Sequence, residues 1–211
     1  MAGWRRALQP AGAVHGRLVH SRRVRTLAAH FAEVIPPGHS VLDVGCGDGL
    51  IDALIAERRP DLEIAGVDVL VRSDARIAVT PYDGSHLPFG GGSWDTVLFC
   101  DVLHHTKAPV RLLREAARVA RHRVVIKDHI VEGALARPTL RLMDFVGNAP
   151  HGVHLAYNYL TPDQWEDAFR LSGLRLEKMR RDLNLYPIWA DNVFGRSLHF
   201  LAVYEITDRP A

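Results

Sequence analysis

A glycine-rich turn directly after a short apolar segment constrains this chain more than any other feature. Residues 41–49 read Val-Leu-Asp-Val-Gly-Cys-Gly-Asp-Gly, with glycine at every second position from Gly45 to Gly49. Glycine suits so tight a turn and lets a ligand approach the backbone, and the amides of a following helix would face that ligand. The dinucleotide fingerprint G-x-G-x-x-G would need its third glycine at position 50, where the chain has Leu50. The turn therefore predicts a cofactor site at a strand-to-helix junction that differs from the standard NAD pattern.

Apolar segments of strand length alternate with segments of helical periodicity, which is typical of a parallel sheet with helices on both faces. Two final strands should form an antiparallel hairpin at the C-terminal end. The fold class is therefore α/β, with a doubly wound and mostly parallel sheet. The predicted helices cover residues 22–34, 49–59 and 109–120, and the predicted strands cover 40–44, 63–67, 77–80, 96–100, 123–127, 175–179 and 198–206.

Residues 130–160 interrupt this alternation, because they contain no clear strand and are rich in His, Asn, Gly, Pro and Tyr. An insertion of this length in a compact domain is more often functional than idle, so we expect a lid over a substrate. A helix start follows it, in which Thr161 is the N-cap, Pro162 the first helical residue and Gln164 the partner in a capping box. That helix should end near Gly173.

Composition predicts one ordinary globular domain. The chain has 211 residues, of which 47% are hydrophobic, so we expect a single domain over 1–211 with an N-terminal helical segment at 1–35. A net charge of +2 calls for no nucleic-acid partner, and the apolar runs are too short for a membrane span. Two cysteines without paired spacing, Cys46 and Cys100, suit a reduced cytoplasmic setting.

The first 32 residues carry arginines but no acidic residue. This pattern is also found in organelle transit peptides, but we interpret the segment as solvated and leading into a helix. Its arginines are Arg5, Arg6, Arg17, Arg22, Arg23 and Arg25.

Four motifs in order over residues 22–130 resemble the class I S-adenosylmethionine-dependent methyltransferases, which have a Rossmann-like fold. The run from Asp43 to Gly49 resembles their motif I, and Ser93–Thr106 resembles the fourth-strand motif of the small-molecule branch called type 11. Asp68 matches the acid that holds the ribose hydroxyls, and Asp83 matches the acid near the adenine amino group. The resemblance implies that the cofactor is S-adenosylmethionine. It implies cofactor contacts from Asp43, Gly45, Cys46, Gly47, Gly49, Asp68, Asp83, Gly84 and Asp101.

In this architecture the methyl acceptor lies beyond the C-terminal ends of the fourth and fifth strands. As a hypothesis, His129 is a general base there, since a histidine pKa lies near neutrality; His104 and His105 are alternatives. His104 could instead pack against the cofactor or cap a helix. Lys127 and Asp128 are expected to line the same pocket. A Lys–Asp ion pair that closes the pocket is an alternative interpretation of these residues.

The insertion adds further pocket candidates. Tyr157 and Tyr159, with Trp189 of a later aromatic loop, would supply aromatic walls. His151-Gly-Val-His154 with Asp144 or His129 could form a metal site, but loop histidines more often line pockets, so we expect no metal. The pocket residues of this segment are Asp144, His151, His154, Tyr157 and Tyr159.

Three functions stay open at this point. The favoured one is O- or N-methylation of a small-molecule substrate. The second is methylation of RNA or protein, although the Asn/Asp-Pro-Pro-aromatic motif of base methylation is absent, since Cys100-Asp-Val-Leu103 follows the fourth strand. The third is a regulator or partner subunit that binds S-adenosylmethionine without catalysis. The sequence does not determine the acceptor atom or the oligomeric state.

Overall fold

The computed structural model describes residues 9–148, 157–187, 191, 194 and 198–207, with side chains described from residue 21 to 144 in the first range. The helices are α1 (Gln9–Val34), α2 (Leu50–Arg58), α3 (Pro109–Val119), α4 (Ala136–Asn148) and α5 (Pro162–Leu171). The strands are β1 (Ser40–Val44), β2 (Glu63–Asp68), β3 (Val79–Pro81), β4 (Trp94–Cys100), β5 (Ala120–His129), β6 (Leu174–Arg180) and β7 (His199–Ile206). Leu103–His105 forms a short 3-10 turn.

The strands form one seven-stranded sheet in the order β3-β2-β1-β4-β5-β7-β6. Strands β1 to β5 run parallel to one another. Strand β7 lies between β5 and β6 and runs antiparallel to both. The predicted Rossmann-like α/β fold and its C-terminal antiparallel hairpin are confirmed. The strand order reverses between β1 and β4, which is where open α/β sheets bind ligands beyond the carboxyl ends of their strands.

Both faces of the central strands are buried, because alternate residues enter different cores. Leu42, Val97 and Val124 pack with α3 and α5 on one face. Val41 and Leu98 pack with α1 and α2 on the other face. Near-continuous apolar strands are therefore required here, as in other doubly covered parallel sheets. None of the described helices is long and apolar enough to cross a membrane.

The capping box at the start of α5 is confirmed. The Thr161 side chain accepts a hydrogen bond from the Gln164 amide, and the Gln164 side chain accepts one from the Thr161 amide. Gly173, just after the helix, has φ +68°, as a C-terminal glycine should.

Helix α4 lies inside residues 130–160, where the sequence indicated no clear strand and predicted an insertion. Its buried positions, Ala136, Leu140 and Asp144, recur every fourth residue. An acid in this stripe and Pro138 in the first turn weaken the apolar pattern that would have predicted the helix. Strand β5 also extends beyond the predicted 123–127 at both ends, and α1 begins before residue 22.

Candidate active site

The glycine-rich turn joins β1 to α2, and its three glycines differ in the space around them. Gly45, Gly47 and Gly49 have φ of +78°, +61° and +68°, a region that strongly favours glycine. A Cβ at Gly45 would lie 2.6 Å from Val102 Cγ2, and one at Gly49 would lie 2.7 Å from Ile77 Cγ1. A Cβ at Gly47 would meet nothing within 4 Å. The outer glycines thus allow the loop to pack, and Gly47 leaves open space where a ligand could approach the backbone.

Asp68, at the end of β2, fixes this loop. Its Oδ2 accepts a hydrogen bond from the Gly47 amide at 2.8 Å, and its Oδ1 accepts one from the Leu70 amide at 2.9 Å. Each carboxylate oxygen has a second lone pair, so both remain able to accept from a vicinal diol. The predicted ribose acid therefore also organises the backbone of the site.

The loop after β3 brings Asp83 and Gly84 to the same edge. Asp83 Oδ1 accepts from the amides of Ser85 at 2.8 Å and His86 at 2.7 Å, and these hydrogen bonds lower the pKa of the carboxyl. Gly84 has φ +81°, and a Cβ there would lie 3.3 Å from Val69 Cγ1. The third predicted cofactor segment is thus next to the second.

Cys46 packs inside the loop as a small side chain. A Cβ at Gly66 would lie 2.3 Å from Cys46 Sγ, so the thiol occupies the space above that glycine. Burial raises the pKa of the Cys46 thiol, with nearby Asp43 adding to the effect. The thiol is neutral, which suits packing rather than nucleophilic chemistry.

The second half of the site begins at Asp101, directly after β4. Asp101 has φ +60°, an unusual conformation for a non-glycine residue. Its carboxylate forms ion pairs with Lys127 of β5 and Arg23 of α1. Burial alone would raise the pKa of Asp101, but Lys127 and then Arg23 hold it well below its usual range.

Lys127 is fully buried, and its Nζ lies 3.3 Å from His199 Nδ1. Because Lys127 has only protons to offer, His199 Nδ1 is the acceptor, and its Nε2 donates to the Phe194 carbonyl at 3.1 Å. Burial and the Lys127 charge keep the pKa of His199 well below its ordinary value. His199 is therefore neutral, and its tautomer is fixed.

His104 bridges the sheet to helix α4. Its Nδ1 lies 2.6 Å from Asp128 Oδ1, and its Nε2 lies 3.3 Å from Asp144 Oδ1. Burial opposes the charge, but Asp128 and Asp144 raise the pKa of His104 to about 10. Tyr159 donates to Asp144 Oδ2 at 2.6 Å. Both nitrogens of His104 thus face carboxylates, which favours its imidazolium form.

His129, at the end of β5, stays neutral in these surroundings. Burial lowers its pKa, although Asp101 partly opposes that effect. Its Nδ1 lies 3.4 Å from His104 Nδ1, 3.5 Å from Asp128 Oδ1 and 3.6 Å from Asp101 Oδ1. The Trp165 indole donates to the His129 carbonyl at 2.9 Å, which fixes the strand end.

His105 differs from both of its histidine neighbours. Burial and the charge on His104 lower its pKa to about 4. Its Nδ1 is buried and has no hydrogen-bond partner within the part of the chain that the structure describes. His105 is thus a neutral imidazole with one unsatisfied nitrogen.

Two residues that the sequence did not assign belong to the site. Arg23, interpreted as part of a solvated segment, instead pairs with Asp101, because α1 passes over this edge of the sheet. His199 gave no signal because it lies in an ordinary strand pattern. Its place in the site follows only from the register of β5 and β7, which sets it opposite His129.

The structure places the predicted pocket residues in different surroundings. Lys127 pairs with Asp101 rather than with its neighbour Asp128, because successive residues of a strand point to opposite faces. Tyr159 is buried and joins the network, whereas Tyr157 lies under Arg141, whose Cζ is 4.9 Å from the ring centroid. His151, His154 and Trp189 lie outside the described residues.

Two groups of these side chains have the spacing that a metal ion needs: Asp101, His104, Asp128 and His129, and His104, His105 and Asp144. In both groups the carboxylates already face the cations of Lys127, Arg23 or His104. The negative charges of these buried carboxylates are therefore neutralised by cationic side chains of the protein.

A doubly wound sheet with a glycine-rich turn after β1 and acids after β2 and β3 defines a nucleotide-cofactor-binding α/β protein. A family model described as a methyltransferase domain matches residues 16–179, well over half of the chain. The chain belongs to this family, the class I S-adenosylmethionine-dependent methyltransferases.

Two curated relatives match about half of the chain. A bifunctional methionine biosynthesis protein, MetXA/MetW, of Rhodopirellula baltica is 33% identical over 47% of this chain and 20% of that protein. The methyltransferase GfsG of Streptomyces halstedii is 33% identical over 48% of this chain and 41% of that protein. The matches thus span less than half the length of either relative.

Solved structures share the fold at low sequence identity. A Haloferax volcanii protein described as a putative methyltransferase, solved in complex with the Trm112 methyltransferase activator, has a TM-score of 0.65 at 17% identity, covering 94% of this chain and 97% of that chain. The mitomycin 7-O-methyltransferase MmcR has a TM-score of 0.61 at 20% identity, covering 86% of this chain and 53% of that chain.

Proposed function

We propose that this protein transfers the methyl group of S-adenosylmethionine to a hydroxyl or amine of a small organic acceptor. The observation that carries the proposal is the buried polar network beside the glycine-rich turn, in which His129 remains neutral among charged groups. A solved structure named as the mitomycin 7-O-methyltransferase has the same fold. The unpaired cysteines Cys46 and Cys100 suit a cytoplasmic enzyme.

Several residues fit the cofactor. Open space at Gly47 and the free acceptor capacity of Asp68 suit a ribose next to the turn. Asp83 and Gly84 lie where an adenine would follow, and Asp43 and Cys46 flank the amino-acid end. S-adenosylmethionine supplies an electrophilic methyl group on a positively charged sulfur. The protein has to align a nucleophile with that methyl group, and good alignment alone can lower a barrier by several kcal/mol.

His129 is the proposed general base. The nearby carboxylates of Asp128 and Asp101 favour a proton on Nδ1, which leaves Nε2 free to accept the proton of the acceptor. A neutral imidazole oriented by a carboxylate is a common arrangement for a base that activates a nucleophile. His105, which has an unsatisfied nitrogen, would hydrogen-bond the acceptor.

The segment at residues 130–160 is the proposed lid. Helix α4 is held to the sheet by Asp144, which meets His104, and by Tyr159, whose hydroxyl lies 2.6 Å from Asp144 Oδ2. A segment attached at a buried ionic contact can close over an acceptor and exclude water.

Labelled cofactor tests the substrate class. The protein is incubated with methyl-labelled S-adenosylmethionine and a cell extract separated into small molecules, RNA and protein. We expect label in the small-molecule fraction. Label in RNA or protein alone contradicts the acceptor class, and binding without transfer to any fraction contradicts catalysis.

Replacement of His129 tests the base. His129→Ala should slow single-turnover methylation by ~10²-fold or more. The rate of this variant should recover as the pH approaches the pKa of the acceptor, because the acceptor then ionises without help. His122→Ala is the matched control, since His122 lies at the other end of β5 with its side chain 53% exposed. An unchanged single-turnover rate in His129→Ala rules out the base.

A further inference from the structure

Two carboxyl groups are buried together beneath the glycine-rich turn. Asp43, next to the last residue of β1, is 2% exposed, and Asp52 lies in the first turn of α2 with no exposure. Three of their four oxygens, Asp43 Oδ1 and both oxygens of Asp52, find no hydrogen-bond donor within the described ranges. Each carboxyl group affects the pKa of the other, so the two groups lie close together. Buried carboxyl oxygens without partners are rare in native structures and call for an explanation.

The groups that face this pair are acids. Asp68 faces Asp43 from the end of β2, and Asp48 faces Asp52 from the turn itself. The neighbouring thiols and phenol, on Cys46, Cys100 and Tyr82, are kept neutral by burial, which raises the pKa of each. The exposed side chain of Arg76 lies 3.8 Å from Asp48. No cation among the described residues affects the pKa of Asp43 or Asp52.

Burial without a cation forces the pair to keep a proton. Burial raises the pKa of Asp43 well above its usual range and that of Asp52 to about 6. Two adjacent carboxyl groups in such a place share one proton, because both cannot be ionised at low cost. The pair therefore carries one negative charge instead of two until a positively charged group binds nearby.

The cofactor brings that charge. S-adenosylmethionine carries an ammonium group at its amino-acid end, and Asp43 is one of the residues proposed above to flank that end. The open space above Gly47 lies on the same turn. Asp52 is not exposed, so it acts through Asp43 rather than on the cofactor directly.

We propose that Asp52 is a second acid of the cofactor site, which stores a proton on the Asp43–Asp52 pair in the empty enzyme and lets the ammonium group of the cofactor expel it on binding. The inference rests on the proposed use of S-adenosylmethionine. The proton passes to the solvent, and no covalent bond other than O–H is broken. Cofactor affinity consequently rises with pH while the pair is protonated in the empty enzyme.

Titration calorimetry of S-adenosylmethionine in buffers of different ionisation enthalpy measures the released proton. Near pH 6 the wild-type protein should release up to about one proton per cofactor, and Kd should fall by up to about tenfold per pH unit. S-adenosylhomocysteine, which keeps the ammonium group, should behave alike. Methylthioadenosine lacks the amino-acid end and should release no proton; a release on its binding contradicts the assignment to the ammonium group.

The variant Asp52→Asn separates the pair. Its amide can donate to Asp43 and the charge of Asp52 is gone, so Asp43 ionises at lower pH although it stays buried. Both the proton release and the pH dependence of Kd should therefore be clearly smaller than in wild type. Glu57→Gln is the matched control, because Glu57 is an exposed acid of the same helix and should leave the release as in wild type. Equal proton release in wild type and Asp52→Asn overturns the inference.

Two outcomes distinguish this inference from the proposed function. Cofactor binding without proton release in the wild type removes the role of the pair and leaves S-adenosylmethionine as cofactor. No binding of S-adenosylmethionine removes both. Should Asp52→Asn fail to fold, infrared spectroscopy of the wild type decides, since the carbonyl band of a protonated carboxylic acid should disappear when the cofactor binds.

Discussion

Asp101 and Asp128, near the ends of β4 and β5, and Asp144 of α4 each meet a cationic side chain. Asp43 near the end of β1 and Asp52 of α2 meet only other acids among the described residues. The two regions lie at the same edge of one sheet and are similarly buried. In the first region the cations overcome burial and lower the pKa of the carboxyls. In the second region burial is the largest influence and raises the pKa of both.

The difference shows which charges the protein completes by itself. The network around Lys127, Arg23 and His104 is balanced within the fold, so it can hold His129 and the insertion in place before any ligand arrives. The Asp43–Asp52 pair is unbalanced, and a cationic ligand would complete it. Burial alone therefore does not predict the charge of an acid; its partners do.

The largest expected effect comes from breaking the balanced network. Asp128→Asn leaves the buried His104 without its closest anion, so the free energy of unfolding at pH 7 should fall by ~3–5 kcal/mol. Urea denaturation measures this loss. Asp167→Asn, at a well-exposed position of α5, is the control and should match wild type. A change in Asp128→Asn no larger than in the control contradicts a charged His104.

The same substitution in the unbalanced pair should have the opposite sign. Asp52→Asn removes a buried acid that no cation stabilises, and its amide can donate to Asp43 Oδ1. The empty protein should gain ~1–2 kcal/mol of stability at pH 8, because an acid with a raised pKa costs folding energy once the unfolded chain ionises. Denaturation in urea without cofactor checks the sign. A destabilised variant shows that the pair is not a stored charge.

The smallest effect is a difference in pH slope, of at most about 1.4 kcal/mol per pH unit for each group. For Asp52, the folded pKa of about 6 exceeds the unfolded value, so the folded state binds more protons and stability falls as pH rises through about 4 to 6. For His104, the raised pKa gives stability that is complete below about 6.5 and is lost as pH rises towards about 10. Unfolding measured across pH should therefore lose the acidic slope in Asp52→Asn and the alkaline slope in Asp128→Asn. If each variant retains both slopes, the two sets of carboxyls do not differ as described.

Much of the fold could be predicted from the sequence, because its signals are local. Strand β1 and the capping box at Thr161 follow from short-range patterns and appear as predicted. Helix α4 could not be predicted, since Asp144 in its buried stripe is accommodated only by His104 and Tyr159, which lie elsewhere in the chain. Long-range partners override the local pattern there.

The candidate site divides in the same way. The glycine turn and the acids Asp68 and Asp83 could be located from motif spacing, and the structure brings them to one edge of the sheet. The distinct states of three histidines could not, because His104, His105 and His129 have the same side chain and differ only in their neighbours.

The sequence by itself determined the order of strands and helices, the glycine-rich turn and membership in a methyltransferase family, because these depend on residues close together in the chain. Only the tertiary structure decided that Arg23 faces Asp101 and that His104 is held as a cation between two acids. It alone also shows that Asp43 and Asp52 meet no cation from the part of the chain that the structure describes. The reason is electrostatic: the charge of a buried group is set by the few side chains within several ångströms, and folding brings those together from distant segments.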